Sequence, residues 1–259
     1  MSAVPKNAVQ PSTKLPAETW LALAAVVGLV WVWWPTLADT ASRWGDQSQY
    51  SHGFLVPPFA MILLWLRRDM LRKKPGRPAA LWGMGFLLAG LGLRFLGTYV
   101  YFEWLSMASL LPCLAGICLL WGGWKAFHWA WPAIVFLMFM VPLPHRVEVG
   151  LAHPLQRVAT LASTFVLQTM GFAAFSEGNI IRIGEEVRIG VVEACSGLSM
   201  LMIFFALSTA VVLLAARTPL EKGLIFISAL PIALAANITR IVVATLLHLY
   251  VGADFANYF

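Results

Sequence analysis

Long apolar runs alternate with short polar segments along most of the chain. Seven runs stand out, at residues 20–37, 54–66, 81–97, 104–121, 127–141, 198–216 and 223–251. An α-helix of about 20 apolar residues crosses the hydrocarbon core of a bilayer. Because lipid offers no hydrogen-bonding partners, a spanning segment must satisfy its own backbone groups, and a helix does so. The pattern therefore predicts an all-α, polytopic transmembrane helix bundle.

Two segments depart from this pattern. Residues 146–175 have helical periodicity but carry scattered polar side chains, among them Glu148 and His153. Three alternatives stay open for them: a crossing helix, a helix lying in the interface, or a re-entrant helix. Residues 178–193 alternate in a period of two around Gly184, which predicts a β-hairpin. Since strand edges cannot face lipid, we expect this short hairpin at the outer membrane face.

The composition supports membrane residence. Hydrophobic residues make up 60% of the chain and charged residues 12%, with a mean hydropathy of +0.77. A soluble domain carries roughly 25% charged residues, so this chain cannot cover a water-facing surface. The first 19 residues are polar and include Lys6 and Lys14. We expect residues 1–19 to form a cytoplasmic tail that is not cleaved, and residues 20–259 to form one transmembrane domain.

The positive charge is concentrated in one loop. Six of the 18 Lys and Arg residues lie between two apolar runs, at positions 67, 68, 72, 73, 74 and 77. Such a loop marks the cytoplasmic side of a membrane protein. The net charge of +6 is not accompanied by the aromatic-interleaved groove of a nucleic-acid site, so we expect no nucleic-acid partner. By alternation, residues 38–53 should face outward. Two positive residues in the loop 217–222 favour the cytoplasm for that loop, so the run at 198–216 should start outside. This arrangement requires residues 146–175 not to cross the membrane, or to cross it twice.

One of the three cysteines has neighbours that suit nucleophilic chemistry. Cys195 precedes Gly197 at the start of an apolar helix, where unpaired N–H groups and the helix dipole favour a thiolate. The same N–H groups can stabilise an oxyanion, and Gly197 leaves room for a substrate backbone. The alternative is a capping turn in which Ser196 is the useful residue and Cys195 is incidental. Cys113 and Cys118 lie in an apolar run, which predicts inert thiols.

A charged side chain interrupts the last apolar run. Arg240 lies within residues 223–251, and a guanidinium in hydrocarbon is costly unless it pairs or reaches water. From Gly223 to Arg240 a helix rises roughly 26 Å, which brings Arg240 toward the outer side, where the helix after Cys195 starts. We therefore expect Arg240 and Cys195 to meet. Arg94 also lies in an apolar run but near its outer end, where snorkelling explains it.

Several short blocks resemble those of the exosortase/archaeosortase family. They are Glu-Ala-Cys-Ser-Gly-Leu at 193–198, Asn-x-x-Arg at 237–240, Tyr-Ser-His-Gly-Phe-Leu-Val-Pro at 50–57 and Gly-Asn at 178–179. The resemblance extends over about residues 45–259, and the Cys block together with the distant Arg is specific. It implies a cysteine transpeptidase of the bacterial inner membrane, with its active site facing the periplasm. Its substrates would be exported proteins with a C-terminal PEP-CTERM signal, which combines a Pro-Glu-Pro motif, a transmembrane helix and a basic tail.

The resemblance also implies residue roles. The family nucleophile and its assisting arginine correspond to Cys195 and Arg240. The third family residue, a histidine, corresponds to no residue here, and we expect it to follow Phe259 in a longer chain. His52 lies in a matching block without an assigned role. The implied reaction is attack by the Cys195 thiolate on a peptide carbonyl, an acyl-enzyme, and release by an acceptor nucleophile. It needs no cofactor and no metal, and its partners are exported proteins and membrane lipid.

Two other classes of function compete with the enzyme. In a transporter or substrate-binding membrane protein, Arg240, Glu193 and residues 146–175 would line a path. Paired interrupted segments in two halves, which such transporters have, are not seen in the sequence. In an inactive membrane scaffold, the histidine would be missing altogether. A histidine encoded shortly after Phe259 favours the enzyme, and a stop codon there favours the scaffold.

Overall fold

The computed structural model describes residues 17–71, 76–184, 187–190 and 197–252. The helices are α1 Ala17–Asp46, α2 Val56–Leu66, α3 Ala80–Tyr99, α4 Glu103–Ala108, α5 Leu110–Phe136, α6 His145–Thr169, α7 Leu198–Leu214 and α8 Pro219–Tyr250. Three 3₁₀ helices lie at Ser48–Leu55, Arg68–Leu71 and Leu137–Met140. The strands are β1 Ala174–Glu177, β2 Ile180–Ile183 and β3 Val187–Gly190.

Within the described residues, four helical segments are long and apolar enough to cross a membrane. They are Thr19–Asp46, Ala80–Tyr99, Glu103–Met140 and Pro219–Tyr250, and α7 is a shorter apolar helix. The chain is therefore a multi-pass membrane protein. The prediction of an all-α polytopic bundle with a short antiparallel hairpin is confirmed.

The predicted runs 104–121 and 127–141 join in one helical segment that breaks between them. Gly122 and Gly123 have non-helical backbone angles, and Gly123 has a φ of +61°. A side chain at Gly123 would collide with the carbonyl oxygen of Arg77, so this left-handed position requires glycine. The amide of Ala79 donates to the carbonyl of Leu119 at 3.0 Å. The break thus packs against the segment that follows the basic loop.

Hydrogen bonds along the second half of α5 define two ends of the bundle. At the basic end, Arg67 donates to the His128 carbonyl at 2.9 Å, and the Trp129 indole donates to the Leu64 carbonyl at 3.0 Å. At the opposite end, the Trp44 indole donates to the Met140 carbonyl at 3.0 Å. We name these the basic end and the Trp44 end.

Helices α3 and α5 approach closely because glycine recurs every seventh residue on α3. Gly83, Gly90 and Gly97 are buried. Added side chains at Gly83 and Gly90 would collide with Leu120 and Cys113 of α5, and one at Gly97 would collide with Ser106 of α4. Small residues at such spacing let helix backbones pack tightly in a membrane. This row therefore holds α3 against α5 and α4, whereas Gly85 and Gly92 face open space.

The Arg94 side chain is bonded to α1. Its guanidinium donates to the Val32 carbonyl at 2.8 Å and lies 4.4 Å from the centre of the Trp33 ring. Pro35 interrupts α1 one turn further along. A guanidinium that donates to a backbone carbonyl between two apolar helices stabilises their packing. Arg94 therefore ties α3 to α1 near this proline.

The segment 146–175 is a helix followed by a strand that the sequence pattern did not predict. Helix α6 ends at Thr169, and β1 pairs with β2 in the register Phe175↔Arg182. The predicted hairpin is the β2–β3 pair, with Arg182 opposite Arg188, so the sheet has three antiparallel strands. Ile181 is fully buried, in a cluster with residues of α6 and α8. The sheet therefore closes over the distal ends of these two helices.

Helix α6 buries several polar side chains. Its buried face includes Gln156, Thr160, Ser163 and Thr164. Its exposed residues are mixed: the apolar ones are Val147, Leu151, Val158, Leu161 and Phe165, and the polar ones include Arg146, His153 and Arg157. A helix that exposes both apolar and charged side chains suits a membrane interface. It is not among the helices long and apolar enough to span, in the part of the chain that the structure describes.

Helices α7 and α8 form an antiparallel pair. Near the turn that joins them, Phe205 and Phe226 have ring centroids 5.0 Å apart. At the other end of α7, Leu198 and Leu201 pack with Ala233 of α8 and with Leu143. Leu143 follows shortly after the Met140 carbonyl that Trp44 binds. The N-terminus of α7 therefore lies at the Trp44 end of the bundle, away from the basic end.

Candidate functional site

A left-handed glycine begins α7. Gly197 has φ +84° and ψ −9°, and its carbonyl accepts the first helical hydrogen bond, from the Leu201 amide at 2.9 Å. Only glycine adopts this conformation without strain. Leu198 follows with 1% of its surface exposed. The start of α7 is thus fixed by a backbone turn on one side and by a buried leucine on the other.

The turn at Gly197 rests against the side chain of Asn237, in the second half of α8. A Cβ atom at Gly197 would lie 3.1 Å from Nδ2 of Asn237, and Asn237 is 1% exposed. The contact places an amide donor group beside the N-terminus of α7. Sequence reasoning noted Asn237 only as part of a motif, because no pattern along the chain indicates which side chain α7 meets.

Arg240 follows Asn237 by about one helical turn and lines a cavity beside the same helix start. The cavity has a volume of about 510 Å³ and is lined by Met200, Ala236, Thr239, Arg240 and Val243. Met200 belongs to the first turn of α7. Arg240 therefore shares the lining of this cavity with the first turn of α7.

The predicted nucleophile lies outside the described residues. Cys195, Glu193 and Ser196 belong to the stretch 191–196, so the predicted meeting of Cys195 and Arg240 stays a prediction. The structure brings together what flanks it, namely Gly197, Asn237 and Arg240. The other two thiols lie elsewhere, on α5: Cys113 is fully buried and Cys118 is partly buried.

The block 50–57 forms a partly buried corner at the Trp44 end. Tyr50 is 3% exposed and His52 is 7% exposed, and Nε2 of His52 lies 3.2 Å from the Phe139 carbonyl oxygen. Gly53 leaves space for the Trp44 indole, since a side chain there would overlap that ring. The 3₁₀ helix that carries these residues packs against α7. The block therefore supports the helix that starts at Gly197.

Two titratable groups of this corner are perturbed. Burial, and next the nearby carboxylate of Glu148, raise the pKa of Tyr50 well above its usual range. Burial lowers the pKa of His52, against an opposing effect from the carbonyls of Phe139 and Gln49. Both directions favour the uncharged side chain at neutral pH. Tyr50 and His52 are thus uncharged, packed polar groups of this corner.

A second, larger cavity lies at the same end of the molecule. It has a volume of about 860 Å³ between α1, the turn joining α3 to α4, and residues 141–147. Arg43 bridges Asp39 at 3.3 Å and Glu103 on its rim. One wall is formed by Leu143, which also packs against Leu198. This cavity therefore borders the helix start without containing Arg240.

The comparison with known families identifies the chain. Residues 44–259 match the family model described as a transmembrane exosortase. The match covers the block 50–57, Gly197, and the stretch from Asn237 to Arg240. No curated protein and no solved structure matches the chain.

Proposed function

This chain belongs to the transmembrane exosortase family, and from that premise we propose that it is a cysteine transpeptidase with Cys195 as its nucleophile. Family membership makes it a membrane protein-sorting enzyme whose substrates are proteins with sorting signals. The finer proposal is that Cys195 cleaves exported proteins carrying a C-terminal PEP-CTERM signal. The observation that carries it is the contact of the Gly197 turn with Asn237, within one helical turn of Arg240.

The chain itself limits how far Cys195 can lie from this contact. Cys195 precedes Gly197 by two residues, and an extended chain spans at most about 3.6 Å per residue. Its Cα atom is therefore within about 7 Å of the Gly197 Cα. Arg240 lines the cavity next to the same turn. This limit on the Cα–Cα distance supports a Cys195 thiol close to the Arg240 guanidinium, whichever side-chain conformation Cys195 adopts.

The N-terminus of α7 and Arg240 suit the charges that the reaction creates. A helix start presents N–H groups and the positive end of the dipole, which lower the pKa of a nearby thiol. Attack of the thiolate on a peptide carbonyl forms a carbon–sulfur bond and moves the negative charge to the carbonyl oxygen. Arg240 is the donor that we assign to that oxygen, and the buried Asn237 amide lies beside the Gly197 turn.

Collapse of this intermediate gives the two products. The carbon–nitrogen bond breaks, and the amine of the C-terminal segment leaves after taking up one proton, which is balanced by the proton that the acceptor nucleophile loses in the next step. The remaining protein is held on Cys195 as a thioester. An acceptor nucleophile then attacks the thioester carbonyl, and Cys195 is released as thiolate. In this scheme the thioester reacts with a second nucleophile and not with water, so the protein is transferred rather than hydrolysed.

The position of the site favours a periplasmic active site. Arg67 lies at the basic end of the bundle, and Gly197 lies at the Trp44 end, with Leu143 and Leu198 in contact. Positive residues next to spans mark the cytoplasmic side. We therefore propose that the start of α7 lies at the periplasmic face of the bacterial inner membrane and that cleavage occurs there.

The test is processing of a tagged exported protein that carries the sorting signal. We expect Cys195→Ala to abolish processing at unchanged membrane abundance, while Cys113→Ala leaves it intact, because Cys113 is buried on α5. A thioester between enzyme and substrate should be trapped and should be cleaved by hydroxylamine. Normal processing by Cys195→Ala would refute the nucleophile.

A further inference from the structure

Helix α8 is longer than the apolar core of a bilayer. It has 32 residues and extends about 48 Å, whereas the hydrocarbon core is about 30 Å thick. Its antiparallel partner α7 begins at Leu198, which packs with Ala233 of α8 at the Trp44 end. The residues of α8 that follow Ala233 therefore continue about 25 Å past the start of α7. We name residues 234–250 the α8 extension, which reaches the membrane interface at the Trp44 end.

Helix α6 packs along the α8 extension. Ala159 and Leu167 of α6 share a buried cluster with Ile241 and Val242, which both belong to the extension. Helix α6 is itself not among the helices long and apolar enough to span, in the part of the chain that the structure describes. Its position beside the extension therefore places α6 at the membrane interface, next to the headgroups.

Basic side chains form a stripe along one exposed face of α6. Gly150, His153 and Arg157 follow Arg146 by four, seven and eleven residues, a spacing that keeps all four positions on the same side of a helix. All four residues are exposed. No carboxylate among the described residues forms an ion pair with Arg146 or Arg157. We name Arg146, His153 and Arg157 the basic stripe.

An apolar stripe runs beside the basic stripe. Val147, Leu151 and Val158 each follow a position of the basic face by one residue, so they lie next to it around the helix. They are 40–47% exposed, and Phe165 continues the line at 66%. A helix that lies in the membrane interface has this arrangement, with basic side chains at the phosphates and apolar side chains among the acyl chains.

We propose that the basic stripe of α6 binds the headgroups of anionic phospholipids at the Trp44 end of the molecule. A guanidinium donates paired hydrogen bonds to phosphate oxygens, and the negative headgroup charge complements the two arginines. The apolar stripe admits the acyl chains of any lipid, so the selection of anionic lipid comes from Arg146 and Arg157. An acidic peptide would match the charge of the basic stripe but would leave the apolar stripe uncovered.

The test is fluorescence quenching by lipid in the full chain, with its three cysteines replaced and a fluorophore attached to Gly150→Cys. Gly150 lies within the basic face, and no atom lies within 4 Å of a Cβ placed there, so the label has room. The protein is reconstituted into phosphatidylcholine vesicles. The probes are phosphatidylglycerol with a nitroxide on its acyl chain near the carbonyl, and phosphatidylcholine with the same nitroxide. Gly28→Cys is the matched control, because Gly28 is also exposed with open space but lies in the apolar part of α1.

We expect phosphatidylglycerol to quench the label at position 150 at a severalfold lower fraction of lipid than phosphatidylcholine does, and both lipids to quench position 28 equally. One arginine near an anionic surface contributes roughly fivefold to binding, so Arg146→Gln together with Arg157→Gln should abolish the preference. Arg146→Lys together with Arg157→Lys should keep most of it, because lysine also binds phosphate as a point charge.

Three results would overturn the proposal. Equal quenching of position 150 by the two lipids would mean that α6 does not select anionic headgroups. Quenching at position 28 without quenching at position 150 would place α6 in water, where its basic stripe is available to an acidic peptide instead. A preference that survives the double Gln variant would assign it to other residues. Because Cys195 is already replaced in this protein, none of these results depends on whether Cys195 is the nucleophile.

Discussion

At the scale of single residues, glycine decides how α7 begins. Gly197 has a positive φ and touches Asn237, so a side chain there meets both backbone strain and a neighbouring amide. Gly171 also has a positive φ, of +92°, but no atom lies within 4 Å of its missing Cβ. Comparing substitutions at Gly197 and Gly171 therefore separates the effect of backbone strain from the effect of the contact with α8.

We therefore expect Gly197→Ala and Gly171→Ala to differ in function more than in stability. A left-handed alanine costs about 1–2 kcal/mol, so both variants should lower the thermal unfolding midpoint in detergent. Only Gly197→Ala should impair substrate processing, because it displaces the turn next to Asn237. Equal loss of processing in both variants would attribute the effect to backbone strain alone.

Substitution of Arg240 tests whether this side chain acts in the reaction or only in folding. A guanidinium that makes directed hydrogen bonds to a thiolate or oxyanion cannot be replaced by lysine, which is a point charge without the planar fork. We expect Arg240→Lys to lower turnover by about 10²–10³-fold, the cost of one oxyanion donor. The measurement is the rate of processing of the tagged substrate, normalised to the membrane abundance of the variant.

Two results would contradict a catalytic Arg240. Wild-type processing by Arg240→Lys would mean that charge alone suffices. Parallel loss of abundance and activity would mean that Arg240 is needed for folding. Arg94→Lys is the matched control, since Arg94 is bonded to the Val32 carbonyl on α1 and lines neither described cavity. It should affect abundance more than processing.

At the scale of elements, the contact of α3 with α5 depends on one face of α3. A side chain at Gly90 would overlap Cys113 and lie 3.0 Å from the carbonyl oxygen of Ser109, whereas Gly92 faces open space. We expect Gly90→Ala to destabilise the protein by about 1–3 kcal/mol through overpacking. Gly92→Ala should be neutral or slightly stabilising, because alanine favours the helix.

Thermal unfolding in detergent measures this difference. The two variants carry the same substitution two residues apart on one helix, so helix propensity cancels in the comparison. Equal unfolding midpoints for the two variants would show that α3 and α5 are not packed through the glycine row.

At the scale of the whole molecule, the two ends of the bundle give a test of orientation. Gln47 is exposed at the Trp44 end, and Arg77 is exposed at the basic end. With the three native cysteines replaced, we expect Gln47→Cys to react with a membrane-impermeant maleimide added outside. Arg77→Cys should react only after permeabilisation, because positive residues mark the cytoplasmic side. Labelling of Arg77→Cys in intact cells would reverse the topology and move the active site to the cytoplasm.

The sequence by itself determined the membrane class and the helices. A chain with long apolar runs and few charges places those runs in lipid, where helices satisfy their own backbone hydrogen bonds. Arg240 could also be identified as a candidate functional residue, because a guanidinium within an apolar run is costly wherever the run lies. The period-two alternation around Gly184 predicted the β2–β3 hairpin, since side chains alternate on any strand.

Tertiary structure alone decided the contacts between distant segments. The third strand, β1, forms because it pairs with β2, and its four residues carry no pattern of their own. The location of α6 could not be predicted from its sequence, because some of its polar side chains, such as Gln156 and Ser163, are buried while others, such as Arg157, are exposed. The contacts of Arg94 with Val32 and of Asn237 with Gly197 were not predicted either. A side chain's partner is fixed by the packing of helices far apart in sequence, and no local periodicity encodes it.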